Sequence, residues 1–153
     1  MIIQAGFDFE ILAQPHLLCD GGTTDKLVLI EADRDLEPVS VRVVSEEFDG
    51  SLKPHIDAIV ERLDPEETRF FGIAHAGDIA PWGYVDKDLD ADSEALRKLA
   101  DSRGFRLLAH LVFTADSWIS LYGNSYFELY GDRYADLPST MREWKRSPSG
   151  GDG

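Results

Sequence analysis

Four histidines and one cysteine are the side chains in this sequence best suited to metal binding or nucleophilic chemistry. His16 and Cys19 lie three residues apart, a spacing that can hold a metal, but the sequence offers no second pair to complete a zinc site. Cys19 could act as a nucleophile with a nearby histidine as base, although we favour a role as a small buried residue. His55, at a predicted helix start, is expected to cap or pack. His110, in a leucine-rich segment, is expected to be structural.

Alternating acidic residues form a second group with chemical potential. The carboxylates of Asp86, Asp88, Asp90 and Asp92 could loosely bind calcium, which prefers several oxygen ligands. The segment lacks the glycine and the closing glutamate of an EF-hand loop. Because negative charge is favourable at a helix N-terminus, we favour a solvated loop that leads into a helix. These four aspartates are also candidates for contact with a partner.

Aromatic residues are frequent after residue 122, and Tyr126 and Tyr130 are the two that we consider for partner binding. Aromatic side chains are enriched at the centre of protein interfaces. They could equally form a lid over an open face of a sheet, and both interpretations stay open. The segment 146–153 is rich in Gly, Ser and Pro and predicts a flexible tail.

Composition limits the classes of function. The 153 residues (17.1 kDa) correspond to one domain, and 15 Lys and Arg against 29 Asp and Glu give a net charge of −14. So acidic a protein lacks the basic surface that neutralises nucleic-acid phosphates, and an anionic membrane would repel it. The single cysteine excludes an internal disulfide. With no long apolar segment and no basic signal-peptide start, we expect a cytoplasmic protein without a direct nucleic-acid or membrane partner.

Hydrophobic periods predict the elements that position these side chains. The segment Pro38–Ser45 alternates, with Val39, Val41 and Val43 on one face, as in a half-buried strand. It should form a hairpin with the apolar run at 26–31. The segment Pro54–Leu63 changes to the period of an amphipathic helix.

The rest of the sequence continues the same alternation of strands and helices. Apolar segments at 69–75, 105–114 and 118–122 predict strands, and 92–102 predicts a helix that ends before a left-handed Gly104. The expected fold is α/β, with a mixed sheet flanked by helices and the order β-β-α-β-α-β-β over residues 26–122. One domain should span 1–145, with an aromatic-rich C-terminal extension from about residue 123.

Several segments resemble the RadC-like branch of the JAB/MPN superfamily over roughly residues 26–121. The matching segments are the hairpin strands 27–31 and 39–43, the helix start Pro54-His55-Ile56, the strand end 73–78 (IAHAGD), the strand 107–112 (LLAHLV) and Ser120-Leu121. The resemblance implies an MPN/JAB-like sheet. In active members of this family, zinc activates a water that attacks an amide or isopeptide carbonyl.

The resemblance also indicates which residues would form such a site. His75 matches the first histidine ligand, but the second histidine position is Gly77. Asp88 has the spacing of the aspartate ligand, although an alternative alignment gives that role to Asp92, and Asp78 could replace the missing histidine. Glu37 is the carboxylate nearest the position of the family's base. Because partners are missing, we favour a structural His75 that bonds a loop carbonyl over a zinc ligand.

Three functions follow from these observations. The first is a catalytically inactive RadC/JAB-like module that engages a protein partner and needs no cofactor. The second is a diverged zinc hydrolase of peptide or isopeptide bonds, with His75, Asp78 and Asp88 as ligands and Glu37 as base. The third is an acidic inhibitor that mimics nucleic acid and blocks a DNA-binding protein. The resemblance and the aromatic C-terminal part also leave a homodimer open.

Overall fold

The structure is a computed structural model that describes residues 2–3, 6–77 and 87–122, with side chains described at all of these positions except 6, 7, 87 and 122. In chain order, its elements are α1 (Gly6–Leu17), β1 (Leu18–Cys19), β2 (Gly22–Thr23), β3 (Leu27–Ala32), β4 (Pro38–Ser45), α2 (Ile56–Arg62), β5 (Phe70–Ala76), α3 (Lys87–Ser102), β6 (Arg106–Phe113) and β7 (Trp118–Tyr122). A short 3-10 turn, Lys53–His55, leads into α2. The order β-β-α-β-α-β-β predicted for 26–122 is therefore observed. Among the described helices, none is long and apolar enough to cross a membrane.

Five strands form one mixed sheet in the order β4-β3-β5-β6-β7. The β5–β6 pair is parallel, and the other three pairs are antiparallel. Parallel neighbours need a crossover connection, and α3 lies in the segment that supplies it. The predicted α/β class with a mixed sheet and flanking helices is confirmed.

Helices cover both faces of the sheet. On one face, Phe9, Ala13 and Leu17 of α1 pack on a cluster that includes Val28 and Ile30. On the other face, α2 and α3 pack on a cluster that includes Leu27 and Leu29 of the same strand. Because successive strand residues point to opposite faces, β3 is apolar at consecutive positions and buried along its whole length.

The sequence periods did not predict the helix α1 or the short strands β1 and β2 that follow it. The buried residues Phe9, Ala13 and Leu17 of α1 recur every four residues, as one helix face requires. However, Ile11 on the opposite side is 51% exposed, and Pro15 lies inside the last turn. Apolar residues on both sides and an internal proline hide the helical period.

One predicted strand face and one predicted helix boundary need correction. In β4, Val41 and Val43 pair with Ile30 and Val28, but a register shift next to Ala32 leaves Val39 out of the ladder and 39% exposed. The bulge adds a residue to β4, so the period of two does not persist along the strand. The helix predicted for 92–102 is α3, and it begins at Lys87 rather than near Asp92. Acidic residues are favourable in the first turn of a helix, so the aspartates extend it. Gly104 follows it with φ 89°, as predicted.

A buried charge ties the first hairpin to the rest of the sheet. Glu31 of β3 is 1% exposed, and its carboxylate accepts hydrogen bonds from Ser40 and Arg42 of β4 and from Thr68, ahead of β5. Arg42 also donates to the carbonyl oxygen of Arg62 at the end of α2 (2.8 Å). Since a buried carboxylate is tolerated when its oxygens are bonded, this network fixes the hairpin against α2 and β5.

We expect Gly72→Ala to lower the free energy of unfolding by about 1–3 kcal/mol, the usual range for overpacking a core. A Cβ atom at Gly72 would lie 2.7 Å from Cδ1 of Phe9, so α1 would have to move away from the sheet. Urea unfolding followed by circular dichroism measures the change. The control is Gly22→Ala, where the added atom meets nothing within 4 Å. Equal stability of Gly72→Ala and the natural chain would contradict the close approach of α1.

Candidate functional site

Two histidines meet on neighbouring parallel strands at one end of the sheet. In the β5–β6 ladder, Ile73 pairs with His110 and His75 pairs with Val112. His75 and His110 therefore lie on the same face, two positions apart along the ladder, because strand side chains alternate with a period of two. Their Nε2 atoms are 2.7 Å apart, a hydrogen-bond distance.

The other nitrogens of both rings are also bonded. His75 Nδ1 is 2.8 Å from the carbonyl oxygen of Ala76, and His110 Nδ1 is 2.9 Å from Oγ of Ser93 on α3. A carbonyl can only accept, so Nδ1–H of His75 donates to Ala76 and Nε2 of His75 accepts from His110. Nδ1 of His110 is then left to accept from the Ser93 hydroxyl. The result is a chain of hydrogen bonds that runs in one direction from Ser93 to Ala76.

This series of hydrogen bonds is buried, and both imidazoles in it are neutral. His75 is 1% exposed and His110 is fully buried, and the ring of Phe48 packs on His75 with 4.4 Å between ring centroids. Burial lowers the pKa of His75 from 6.5 to about 4, although the bond to the Ala76 carbonyl raises it in part. Burial, and then the charge of His75, lower the pKa of His110 well below its usual value. Neutral rings are the forms that the directional chain requires.

The order Ser93, His110, His75 resembles a nucleophile, its base and the group that orients the base. Ser93, however, is 5% exposed and lies inside α3, where backbone N–H groups bond to carbonyls of the preceding turn. Backbone donors for a developing oxyanion are therefore absent around the Ser93 hydroxyl within its own helix. The geometry supports a polar connection that joins α3 to the two central strands.

His75 and His110 do not have the spacing of two ligands of one zinc ion. Two nitrogen ligands of one tetrahedral zinc, each 2.0–2.1 Å from the metal, stand about 3.3 Å apart, whereas the Nε2 atoms of His75 and His110 are 2.7 Å apart. At Gly77, where the family has its second histidine, a Cβ atom would lie 2.7 Å from Cγ1 of Val112. His75 and His110 thus fit a hydrogen-bonded pair better than a pair of zinc ligands.

Of the two predicted aspartate ligands, one lies within the described residues and the other does not. Asp88 lies in the first turn of α3 and is exposed, about 7.5 Å along the helix axis from Ser93. Asp78 lies outside the described residues. The full set of His75, Asp78 and Asp88 therefore stays a prediction.

The register separates Glu37 from His75. Glu37 closes the β3–β4 hairpin next to Ala32, which pairs with Phe70 at the start of β5. His75 lies five residues further along β5, about 16 Å at 3.3 Å per residue. The predicted base and the predicted ligand are at opposite ends of the sheet, and the structure does not bring them together.

Glu37 lies instead in an acidic group at the hairpin turn. Ligand atoms of Asp33, Asp35 and Glu37 all lie within 4.8 Å of one another, the one group of three metal-binding side chains found among the described residues. The Asp33 carboxylate accepts from the backbone N–H groups of Asp35 (2.9 Å) and Glu37 (3.0 Å). These bonds are those of an aspartate that shapes its own turn, so turn formation accounts for the group.

The acidic run does not form the row that its alternation suggested. Asp88, Asp90 and Asp92 are in α3 rather than in a loop. At 100° per residue, Asp88 and Asp92 share one side of the helix and Asp90 lies on another. Asp86 and the aromatic candidates Tyr126 and Tyr130 lie outside the described residues, as do the C-terminal extension and the tail.

One further expectation is wrong, and another is confirmed in part. Cys19 is exposed in the small β1–β2 hairpin, so its predicted burial is wrong. His55 makes no side-chain cap bond at the start of α2. Its ring packs on Phe48 with 5.6 Å between centroids, which leaves the packing role.

Ser93 is the site residue whose role the sequence analysis missed, since the sequence indicated only that it lies at the start of the helix predicted for 92–102. His75 has the expected bond to a carbonyl, although this carbonyl belongs to Ala76 at the end of β5 rather than to a loop, and His110 is buried and hydrogen-bonded. The sequence shows that each histidine lies in an apolar strand. It does not show that the two strands are neighbours, or which residues pair between them. No family model matches the sequence, and no match was found among curated proteins.

We expect acid to destabilise the fold through the histidine pair. Between the unfolded pKa of 6.5 and the folded value of about 4 for His75, the unfolded chain binds a proton that the folded chain does not. The contribution of the buried histidine to the free energy of unfolding is therefore fully present above pH 6.5. Below pH 6.5 it falls as the pH falls, by about 1.4 kcal/mol per pH unit for each such proton. Urea unfolding between about pH 7 and about pH 5 measures the slope.

The double variant His75→Gln with His110→Gln should lose this part of the slope, whatever its absolute stability. His16→Gln is the matched control, since His16 lies half-buried on α1 away from the pair. Carboxylates contribute equally to all variants and cancel in the comparison. Parallel slopes for the natural chain and the double variant would refute neutral burial of the pair.

Proposed function

We propose that the chain is a non-catalytic module of the RadC/JAB type that engages a protein partner. The observation that carries this proposal is the bond between His75 and His110. The residue that matches the family's first zinc ligand has both ring nitrogens engaged and is 1% exposed. A side chain in this state serves the core, and it offers no lone pair to a metal without breaking the chain of bonds.

Two further features support a non-catalytic role. Val112 occupies the space where a side chain at Gly77 would begin. Glu37, the proposed base, lies at the opposite end of the sheet. The element order and the mixed sheet are compatible with an MPN/JAB-like fold, which is part of the proposal.

Charge supports the partner half of the proposal. The protein has a net charge of −14. Asp88 and Asp92 lie one turn apart on the same side of α3. Such a surface favours a partner with complementary positive charge. The nucleic-acid mimic would need carboxylates in a continuous row, and the position of Asp90 on a different side of α3 does not favour it.

The hydrolase alternative is separated by metal content. We expect purified, untagged chain to carry no stoichiometric zinc by mass spectrometry, and its melting temperature to be unchanged by a chelator. His75→Ala should lower the melting temperature equally with and without chelator, because it removes a core hydrogen bond. Stoichiometric zinc that is lost in His75→Ala, with a chelator-sensitive melt, would overturn the proposal and establish a metal site.

The partner proposal predicts binding that weakens with salt. A protein captured on the chain at low ionic strength should dissociate at high ionic strength, since screening removes attraction between exposed charges. Asp88→Asn with Asp92→Asn should weaken capture. The matched control is Asp57→Asn with Glu61→Gln, an exposed acidic pair with the same spacing on α2. Salt-independent capture, or equal weakening by both pairs, would contradict a binding surface on α3.

A further inference from the structure

A polar cleft opens at the end of the sheet opposite the histidine pair. It encloses about 350 Å³ between the turn that precedes β5, the turn that joins α3 to β6, and the β3–β4 hairpin. Its charged and polar lining includes Arg34, Arg69, Arg103, Glu66, Glu67 and Thr68. The cleft shares no residue with the histidine site, so an inference about it does not depend on the proposed function.

Arginines from three separate segments line this cleft. Arg34 belongs to the hairpin turn, Arg69 precedes β5, and Arg103 follows α3. The whole chain has only 15 Lys and Arg residues against 29 acidic ones. Among the residues that line the cleft, three arginines stand against two glutamates on a protein of net charge −14, while Asp33 and Asp35 flank Arg34 in the hairpin turn. A concave site can concentrate the local field of its lining charges and attract ions that the protein as a whole repels.

Arg69 is held in place by the fold. Its backbone N–H donates to the carbonyl oxygen of Ala32 (2.9 Å), and its own carbonyl accepts from the backbone of Arg106 (3.0 Å). Its Nη1 donates to the Gly104 carbonyl oxygen (3.3 Å), and the guanidinium lies 5.0 Å from the centroid of the Phe70 ring. Thr68 beside it donates its hydroxyl hydrogen to Glu31 (2.7 Å), so the buried charge network supports this wall of the cleft.

Arg34 and Arg103 are the groups that can reach a ligand. Both side chains are exposed, and within the described ranges neither has a carboxylate within 4.0 Å. Glu66 and Glu67 line the same cleft without pairing with either of them in those ranges. A guanidinium presents a planar fork of donors that matches two oxygens of a phosphate or carboxylate.

We propose that this cleft binds an oxyanion, the phosphate or carboxylate group of a small ligand, through the guanidinium groups of Arg34 and Arg103. Arg69 forms the fixed wall against which the anion lies. Glu66 and Glu67 limit the charge of the site and select against ligands whose negative charge extends beyond one group.

The test is an NMR titration of the isotope-labelled full chain with inorganic phosphate, pyrophosphate and acetate at constant ionic strength. We expect saturable shifts of the backbone amides of Arg34, Thr68 and Gly104. Arg34→Gln and Arg103→Gln should each weaken binding by about tenfold, as for loss of a charge-assisted hydrogen bond. Tighter binding of inorganic phosphate than of acetate identifies a phosphate ligand, and the reverse order identifies a carboxylate.

Two further variants separate binding in the cleft from an effect of net charge. Glu66→Gln should tighten binding, because it removes a negative charge from the cleft. Arg62→Gln removes one positive charge, as Arg34→Gln and Arg103→Gln do, but from an exposed site at the end of α2, and it should leave binding unchanged. The absence of saturable shifts with all three anions overturns the proposal. So does equal weakening by Arg62→Gln, which would mean that only net charge matters.

Discussion

The structure depends on pairing the polar side chains that the central strands carry into the layers between sheet and helices. β3, β5 and β6 have helices over both faces, and they bring Glu31, His75 and His110 to positions with almost no exposure. An unpaired polar group in such a place costs free energy comparable to the loss of a hydrogen bond or more. Each of the three is instead bonded to partners on other elements, so the same bonds that remove the cost also fasten the elements together.

The two networks divide the molecule into ends with different characters. At one end, the series of hydrogen bonds from Ser93 to Ala76 occupies the position where the family resemblance would place a zinc site. At the other end, Glu31 anchors the hairpin and the segment before β5, and a cleft stays open between them and the turn after α3. The exposed Arg34 and Arg103 line this second end. Neutral rings fill the core at the closed end, whereas the open end keeps charged side chains in contact with water.

Much of the fold was within reach of the sequence because its signals are local. The alternation in Pro38–Ser45 and the helical period in Pro54–Leu63 each arise from residues a few positions apart, and both elements are present. The misses have equally definite causes. α1 carries apolar residues on two sides, and the bulge at Val39 exists only against its partner strand. In α3, the alternation of acidic residues looked like a loop, although aspartates in a first turn stabilise a helix.

The sequence by itself determined the order of strands and helices over residues 26–122, the acidity of the protein, and the presence of histidines in two apolar segments. Only the tertiary structure decided which of these residues meet. The parallel register of β5 and β6 brings His75 to His110, and the packing of α3 adds Ser93. The antiparallel register of β3 and β5 sends Glu37 to the far end, and three turns distant in sequence bring Arg34, Arg69 and Arg103 to one cleft. Local patterns encode the period of an element, whereas a site is formed by residues far apart in the chain, and their distance depends on strand register and helix packing.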